Sequence, residues 1–372
     1  MASPLIDLFL GAVRVDAPSL HEAPMAGFVR ENLAGLPIRI VEDDAASVLG
    51  TGCGNLICIP HTFSSDRPAT VLFSHLDTPS STAGVRPVVT AERISSDGST
   101  ILGVDNRAGV SVLLHALRST VQTNPQGNAI VVFTVAEELG MWGAKHVDLS
   151  PYNVRMAYVF DCSRRPGTFI QSCVGSSVYT ATFLGRASHA GVAPEKGINA
   201  IQVASRAIAQ IRIGRLSPKM TANVGTIKGG VATNVVPDSC VIEGEVRSFA
   251  PCEIDRYLTE ITSIFQKTSQ ESQTTVVMKS AEDFAPFVLP ADAPVFQRAY
   301  AVLRRLGLEP NPIEYLGGSD ANMLNAKNVP AVNLGIGAQN PHGTDEFILL
   351  EDFEKAYTIA HDLMQRTPDG NL

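Results

Sequence analysis

Four stretches of the chain stay apolar for longer than their surroundings, and each runs into a side chain that can bind a metal. Ala69 opens ATVLFSHLD, which ends on His75 and Asp77, and Ala129 opens AIVVFTVAEE, which ends on Glu137 and Glu138. Met156 opens MAYVFD, ending on Asp161, and Ala331 opens AVNLGIGAQNPH, which leads through a short loop to His342. Short β-rich apolar runs separated by helical patterns predict a largely parallel, buried sheet. In such sheets the functional site lies beyond the carboxyl ends of the strands, so the ionisable residues collected there are where chemistry is expected. Between the first two runs, GVDNRAGVSVLLHALRS from Gly103 has helical spacing, and Asp105 stands where an N-cap would.

The middle of the chain changes character. SSVYTATFLGR from Ser176 alternates like a strand, and PEKGINAIQVASRAIAQI has helical spacing with a proline near its start. TANVGTI and SCVIEGEVRSF read as strands, PCEIDRYLTEITSIFQKTSQ as a helix and TTVVMKS as a last strand. That order is β-α-β-β-α-β, the split βαβ sandwich. The predicted fold class is therefore α/β: a mostly parallel-sheet domain formed by residues 1–175 and 288–372, interrupted by an inserted α+β domain at 176–287.

Composition narrows the function. The 372 residues suffice for about two domains, and a chain this long buries enough surface to need no disulfide staples. A net charge of −8 argues against a nucleic-acid partner, which would want a basic face. The six cysteines form no C-x-x-C pair, so they read as reduced thiols of a cytoplasmic protein. The N-terminal segment lacks a basic leader region and reads as an amphipathic helix. No run approaches the roughly 18 apolar residues of a membrane span.

The candidate constellation is His75, Asp77, Asp105, Glu137, Glu138, Asp161 and His342. Imidazole and carboxylate ligands suit zinc, with cobalt or manganese as alternatives. Two ions about 3.5–4 Å apart and bridged by one carboxylate form the two-metal hydrolase arrangement. Two adjacent acids at the end of a buried strand are costly unless something positive offsets them. Because successive strand residues point to opposite sides, one of Glu137 and Glu138 is expected to coordinate a metal while the other faces the bound water as general base. His21, His61, His115, His146 and His361 read as structural or surface residues. Cys162 reads as a packing thiol, since no Cys-His arrangement accompanies it.

The motifs together resemble the M20 family of zinc-dependent metallopeptidases and amidohydrolases, and its peptidase T-like branch most of all. SHLDTP is similar to the family's H-x-D motif, GVDNRAG to its bridging-aspartate motif, VAEELG to its paired-glutamate motif, VFDCS to the next ligand and NPHGTDEF to the last histidine. GRASHAG, GGVATNVVPD and GEVRS resemble motifs of the family's lid domain, and GGSDANMLNAKNVPAVNLG a segment of the peptidase T-like branch. The resemblance implies two Zn2+ per chain, with Co2+ or Mn2+ as alternatives. One would be held by His75, Asp105 and Asp161, the other by Asp105, Glu138 and His342. It implies Glu137 as general base and Asp77 as the carboxylate that orients His75. His189 in the lid would stabilise the oxyanion, in many relatives from a neighbouring subunit, which implies a homodimer through the lid domain. Asn234 and Arg247 would hold a substrate carboxylate, a task that suits the arginine fork. Many relatives carry Asp-Lys after the bridging aspartate; this chain has Asn106 and Arg107.

Three functions compete at this point. The first is a tripeptidase-like aminopeptidase acting on short peptides. The second is a carboxypeptidase or N-acyl-amino-acid deacylase of the same family, acting on acyl-amino acids. The third is a metal- or peptide-binding protein without turnover, which loss of Glu137 would have signalled.

Overall fold

The computed structural model describes residues 3–123 and 127–366. The chain separates into two compact units. The first comprises residues 1–171, 288–314 and 319–372, and the second residues 172–287 and 315–318. The sequence placed the insert at 176–287. The second unit begins four residues earlier and also takes in the short segment Tyr315–Gly318.

The first unit is built on the four apolar runs. They form strands β3 (Ala69–His75), β6 (Ala129–Thr134), β7 (Val154–Cys162) and β16 (Ala331–Gly335). These four lie side by side in the order β6-β3-β7-β16, and every pairing among them is parallel. Every residue of β3, β6 and β16 is buried, as a strand covered on both faces requires. The sheet is parallel only at this centre. On one side β2 (Leu56–Pro60) pairs antiparallel with β6, and β1 (Ile38–Glu42) pairs antiparallel with β2. On the other side β8 (Thr168–Cys173) pairs antiparallel with β16, and β14 (Phe287–Val288) and β15 (Asn311–Tyr315) both pair with β8. The helix Val104–Gln122 packs on β3 and against the helices Pro4–Val13 and Leu350–Gln365.

A small antiparallel sheet that hydrophobic pattern alone did not suggest lies in the same unit. It joins β4 (Pro87–Val89), β5 (Arg93–Ser96), β18 (Phe347–Leu349) and β17 (Ala338–Gln339). Strands of two to four residues carry too short an alternation to be read. This sheet pairs the segment before Asp105 with the segments on both sides of His342.

The second unit is an antiparallel sheet in the order β10-β11-β12-β9-β13. Its strands are β9 (Gly175–Leu184), β10 (Gly214–Ser217), β11 (Met220–Gly229), β12 (Ser239–Ser248) and β13 (Thr275–Phe284). The helices Ala200–Ile208 and Pro251–Glu271 pack on it. The two periods meet in its core. Tyr179, Ala181 and Phe183 are every second residue of β9; Ile254, Tyr257, Ile261 and Phe265 recur every three or four along the longer helix. The short hairpin strand β10 is an addition to the expected β-α-β-β-α-β order.

Candidate metal centre

His75 is the last residue of β3 and Asp161 lies one short of the end of β7. The two strands are parallel neighbours, so both side chains reach the same edge of the sheet. Asp105 arrives from the start of the helix Val104–Gln122, where its own dihedrals and those of Asn106 are not helical. Asp105 caps nothing; the capping role falls to Asn106, whose Oδ1 accepts from Gly109 N at 2.8 Å. Asn106 Nδ2 also donates to Asp161 Oδ1 at 2.9 Å, so this departure from the common Asp-Lys pair touches a candidate ligand directly. His342 follows β16 by seven residues and has a left-handed backbone, φ 69°.

Asp105 stands between two groups. Its Oδ1 is 3.1 Å from His75 Nε2, which is also 3.1 Å from Asp161 Oδ1. Its Oδ2 is 3.5 Å from His342 Nε2, which is also 3.5 Å from Glu138 Oε2. Ligand atoms of His75, Asp105 and Glu138 all lie within 4.8 Å of one another.

The structure corrects the account of the acid pair. β6 ends at Thr134, and Glu137 and Glu138 lie in a turn beyond it, so strand alternation does not separate them. The turn begins at Ala136, whose φ of 49° is left-handed. Asp77 then captures the next two amides: Glu137 N donates to Oδ1 at 3.1 Å and Glu138 N to Oδ2 at 3.2 Å. The same carboxylate lies 3.3 Å from His75 Nδ1 and accepts from Ser19 Oγ at 2.7 Å. Asp77 thus ties the imidazole and the acid turn to one rigid, fully buried group.

Charge on these groups is poorly balanced by the protein alone. Burial, reinforced by Asp105, pushes Glu138 up to about 8. Burial also raises Glu137 well above the usual carboxylate range, and raises Asp161. The hydrogen bond to Asp105 leads the causes that lift His342 to about 9. Glu138 Oε1 is buried with no hydrogen-bond partner among the described residues. Carboxylate oxygens and imidazole nitrogens around an orphaned buried oxygen are the donor set of a divalent cation, and the residues fit one. Such an ion displaces protons from its ligands. Affinity for Zn2+ or Mn2+ is therefore expected to rise with pH and to level off only above about 9, where His342 is half deprotonated and Glu138, at about 8, is mostly so. Calorimetry in buffers of different ionisation enthalpy measures the released protons; binding that released none at pH 7 would contradict this account.

Three buried acids near the site escaped the sequence reading. Glu346, four residues after His342, accepts from Gly103 N at 2.7 Å and Val104 N at 3.2 Å, holding the backbone that leads into Asp105; burial first, then Asp105, pushes it up to about 7. Asp320 accepts from Thr134 Oγ1 at 2.6 Å at the end of β6, and burial pushes it to about 7. Glu22 accepts from Ala136 N at 3.0 Å. Each reads in sequence as an ordinary helix-end or loop acid, and only the NPHGTDEF and GGSDANMLN motifs gave any signal for the first two.

The remaining candidates lie in the second unit. His189 and Asn234 are both exposed, on adjoining segments: His189 bridges Val235, and Ala190 N donates to Asn234 O at 2.9 Å. Arg247 is near the far end of β12, with Nη2 2.9 Å from Glu245 Oε2. From Ser239 to Arg247 the strand covers roughly 26 Å at about 3.3 Å per residue. Asn234 and Arg247 therefore stand well apart within one chain, so that the substrate carboxylate the sequence assigned to both would need one of them from each of two chains. Cys162 is a buried thiol pushed up to about 12 by burial, unsuited to nucleophilic attack.

Comparison with known proteins agrees with this geometry. Residues 174–273 match the peptidase dimerisation domain of M20 peptidases. Residues 87–168, which contain Asp105, Glu137, Glu138 and Asp161, match the M42 glutamyl aminopeptidase family. The protein YqjE of Bacillus subtilis is 32% identical over 94% of this chain and 95% of its own. A tripeptidase from Staphylococcus aureus has a TM-score of 0.88 at 30% identity, with 97% of each chain covered. Aminopeptidase PepT from Bacillus cereus has a TM-score of 0.83, also at 30% identity and 97% of each chain. With likeness of this extent along nearly the whole chain, the protein belongs to the peptidase T-like branch of the M20 peptidases and is a hydrolase of peptide bonds.

Proposed function

We propose that this protein is a cytoplasmic di-zinc aminopeptidase that removes the N-terminal residue of short peptides, tripeptides above all, and works as a homodimer through its second unit. The observation that carries the two-metal part is Asp105, whose two oxygens face two different groups, His75 with Asp161 and His342 with Glu138. The substrate class is supported by similarity to a tripeptidase and to PepT. No helix among the described residues is long and apolar enough to cross a membrane.

In this reading His75, Asp105 and Asp161 hold one ion, and Asp105, Glu138 and His342 the other. When bound, such ions polarise a carbonyl and lower the pKa of water to about 7. Glu137 takes the proton from the attacking water and later delivers it to the leaving amine. Asp77 keeps His75 in one orientation and fixes the turn that carries Glu137. His189 donates to the developing oxyanion, and Arg247 and Asn234 contact the substrate carboxylate. Since His189 and Asn234 lie at the opposite end of β12 from Arg247, two chains would supply them to one site.

Substrate length and polarity test the reading. A carboxylate clamp at a fixed distance measures peptide length, each extended residue adding about 3.3–3.6 Å. Free tripeptides are expected to be cleaved faster than their C-terminal amides, and Arg247→Ala to erase most of that difference. N-acetylation is expected to abolish cleavage. A deacylase would do the reverse: rapid hydrolysis of N-acetyl amino acids with no action on free tripeptides would replace the aminopeptidase by that alternative. Mixing inactive His189→Ala and Glu137→Ala subunits restores activity if His189 acts across the dimer. A His189→Ala enzyme with unchanged kcat would remove that residue from the mechanism.

A further inference from the structure

We infer that Glu22 is a positioning residue for the base, a buried carboxylate that sets the turn carrying Glu137; this rests on the reading of Glu137 given above. Glu22 directly precedes the helix Ala23–Leu33 and is fully buried. One of its oxygens, Oε1, accepts from two amides, Leu20 N at 2.9 Å and Ala136 N at 3.0 Å. Both donors belong to residues with left-handed backbone, φ 71° at Leu20 and 49° at Ala136. Side chains with a Cβ rarely adopt that conformation, and it persists where the surroundings over-determine it. Ala136 is the hinge at which the chain leaves β6 for the acid pair.

The three consecutive amides of Ala136, Glu137 and Glu138 are thus taken up by two carboxylates from distant segments. Asp77 holds the second and third, Glu22 the first. Asp77 has its own reason to be there, its contact with His75. The hydrogen bonds of the Glu22 side chain among the described residues go to Leu20 and Ala136 and to no candidate ligand. The other Glu22 oxygen, Oε2, is buried without a hydrogen-bond partner among the described residues. As packing, such a group is a poor choice, because a buried carboxylate with an unmet oxygen costs stability. As an acceptor it does what an apolar residue cannot. The same segment reinforces it: Ser19 Oγ donates to Asp77, so residues 19–22 brace both carboxylates under the turn. Arg107 is a fully buried positive charge in the same region, favoured by Asp77 first, then Asp16 and Glu22. Arg107 donates to Leu76 O, between His75 and Asp77, and to Val15 O and Ala17 O just before Ser19.

Two near-isosteric variants separate acceptor from bulk. In Glu22→Gln the amide oxygen can still receive both N–H groups. In Glu22→Leu the volume remains and the acceptor is gone; Glu22→Ala serves if the leucine variant does not fold. Both are assayed at saturating metal on a free tripeptide, per folded enzyme. The leucine variant is expected to lose about tenfold or more in kcat, because small displacements of a reacting group are costly. Its KM should stay within about twofold and its metal content be unchanged, while Glu22→Gln recovers most of the kcat. A merely structural role would lower the melting temperature and leave kcat per folded enzyme alone. An unchanged kcat, or a glutamine variant as impaired as the leucine one, overturns the inference. Glu137→Gln run alongside keeps the two readings apart: if it remains active the base assignment fails, and if it is dead while Glu22→Leu is fully active only the role of Glu22 fails.

Discussion

Glu137→Ala should leave two ions per chain in place and lower kcat by about a thousandfold, the middle of the range for loss of a general base. Glu137 makes none of the short contacts that group His75, Asp105, Asp161, Glu138 and His342. Its backbone amide, which the substitution preserves, is what Asp77 holds. The turn, and with it Glu138, therefore stays where it is. Removing a buried carboxylate that burial and its neighbours already disfavour costs no stability through charge. KM should change little, because the proton transfer is made in the transition state. Metal analysis and steady-state kinetics on the same preparation decide the matter. Loss of an ion would turn Glu137 into a ligand, and retained turnover would exclude it as the base.

Asp105→Ala should abolish binding of both ions, whereas His342→Ala should weaken one. Asp105 is the residue that reaches both groups, through Oδ1 to His75 and Oδ2 to His342. Its carboxylate is held in the charged form, well below the usual range despite burial, by His342 and His75. On the proposed ligand set, removing it would leave each ion with two of its three protein ligands and would take away the negative charge that offsets the repulsion between the two cations. Glu346 grips the amides of Gly103 and Val104 in either variant, so the loop stays in place and the effect is one of ligand number. Zinc content measured after dialysis against a weak chelator reads the outcome. Equal metal loss in the two variants would argue that Asp105 does not bridge.

The sequence by itself determined the strands that carry the site. β3, β6, β7 and β16 were legible because a strand buried on both faces must be apolar along its length, and the residues that break the pattern at or beyond its end stand out. The inserted unit was legible through its alternation of period two and period 3.6, although its first residues and Tyr315–Gly318 were not. Periodicity records burial one element at a time, and it goes no further. Only the tertiary structure decided that Glu137 and Glu138 sit in a turn held by Asp77 and Glu22, that Asn106 rather than Asp105 caps the helix, and that Asn234 and Arg247 stand at opposite ends of β12. Each of these depends on a hydrogen bond, or on a strand's direction, between residues that no local pattern relates. Glu22 and Ala136 are 114 positions apart, Gly103 and Glu346 243. An acid that accepts a distant amide has the same letter as an acid on a solvated helix end; what separates them is which backbone N–H groups the fold leaves unpaired beside it.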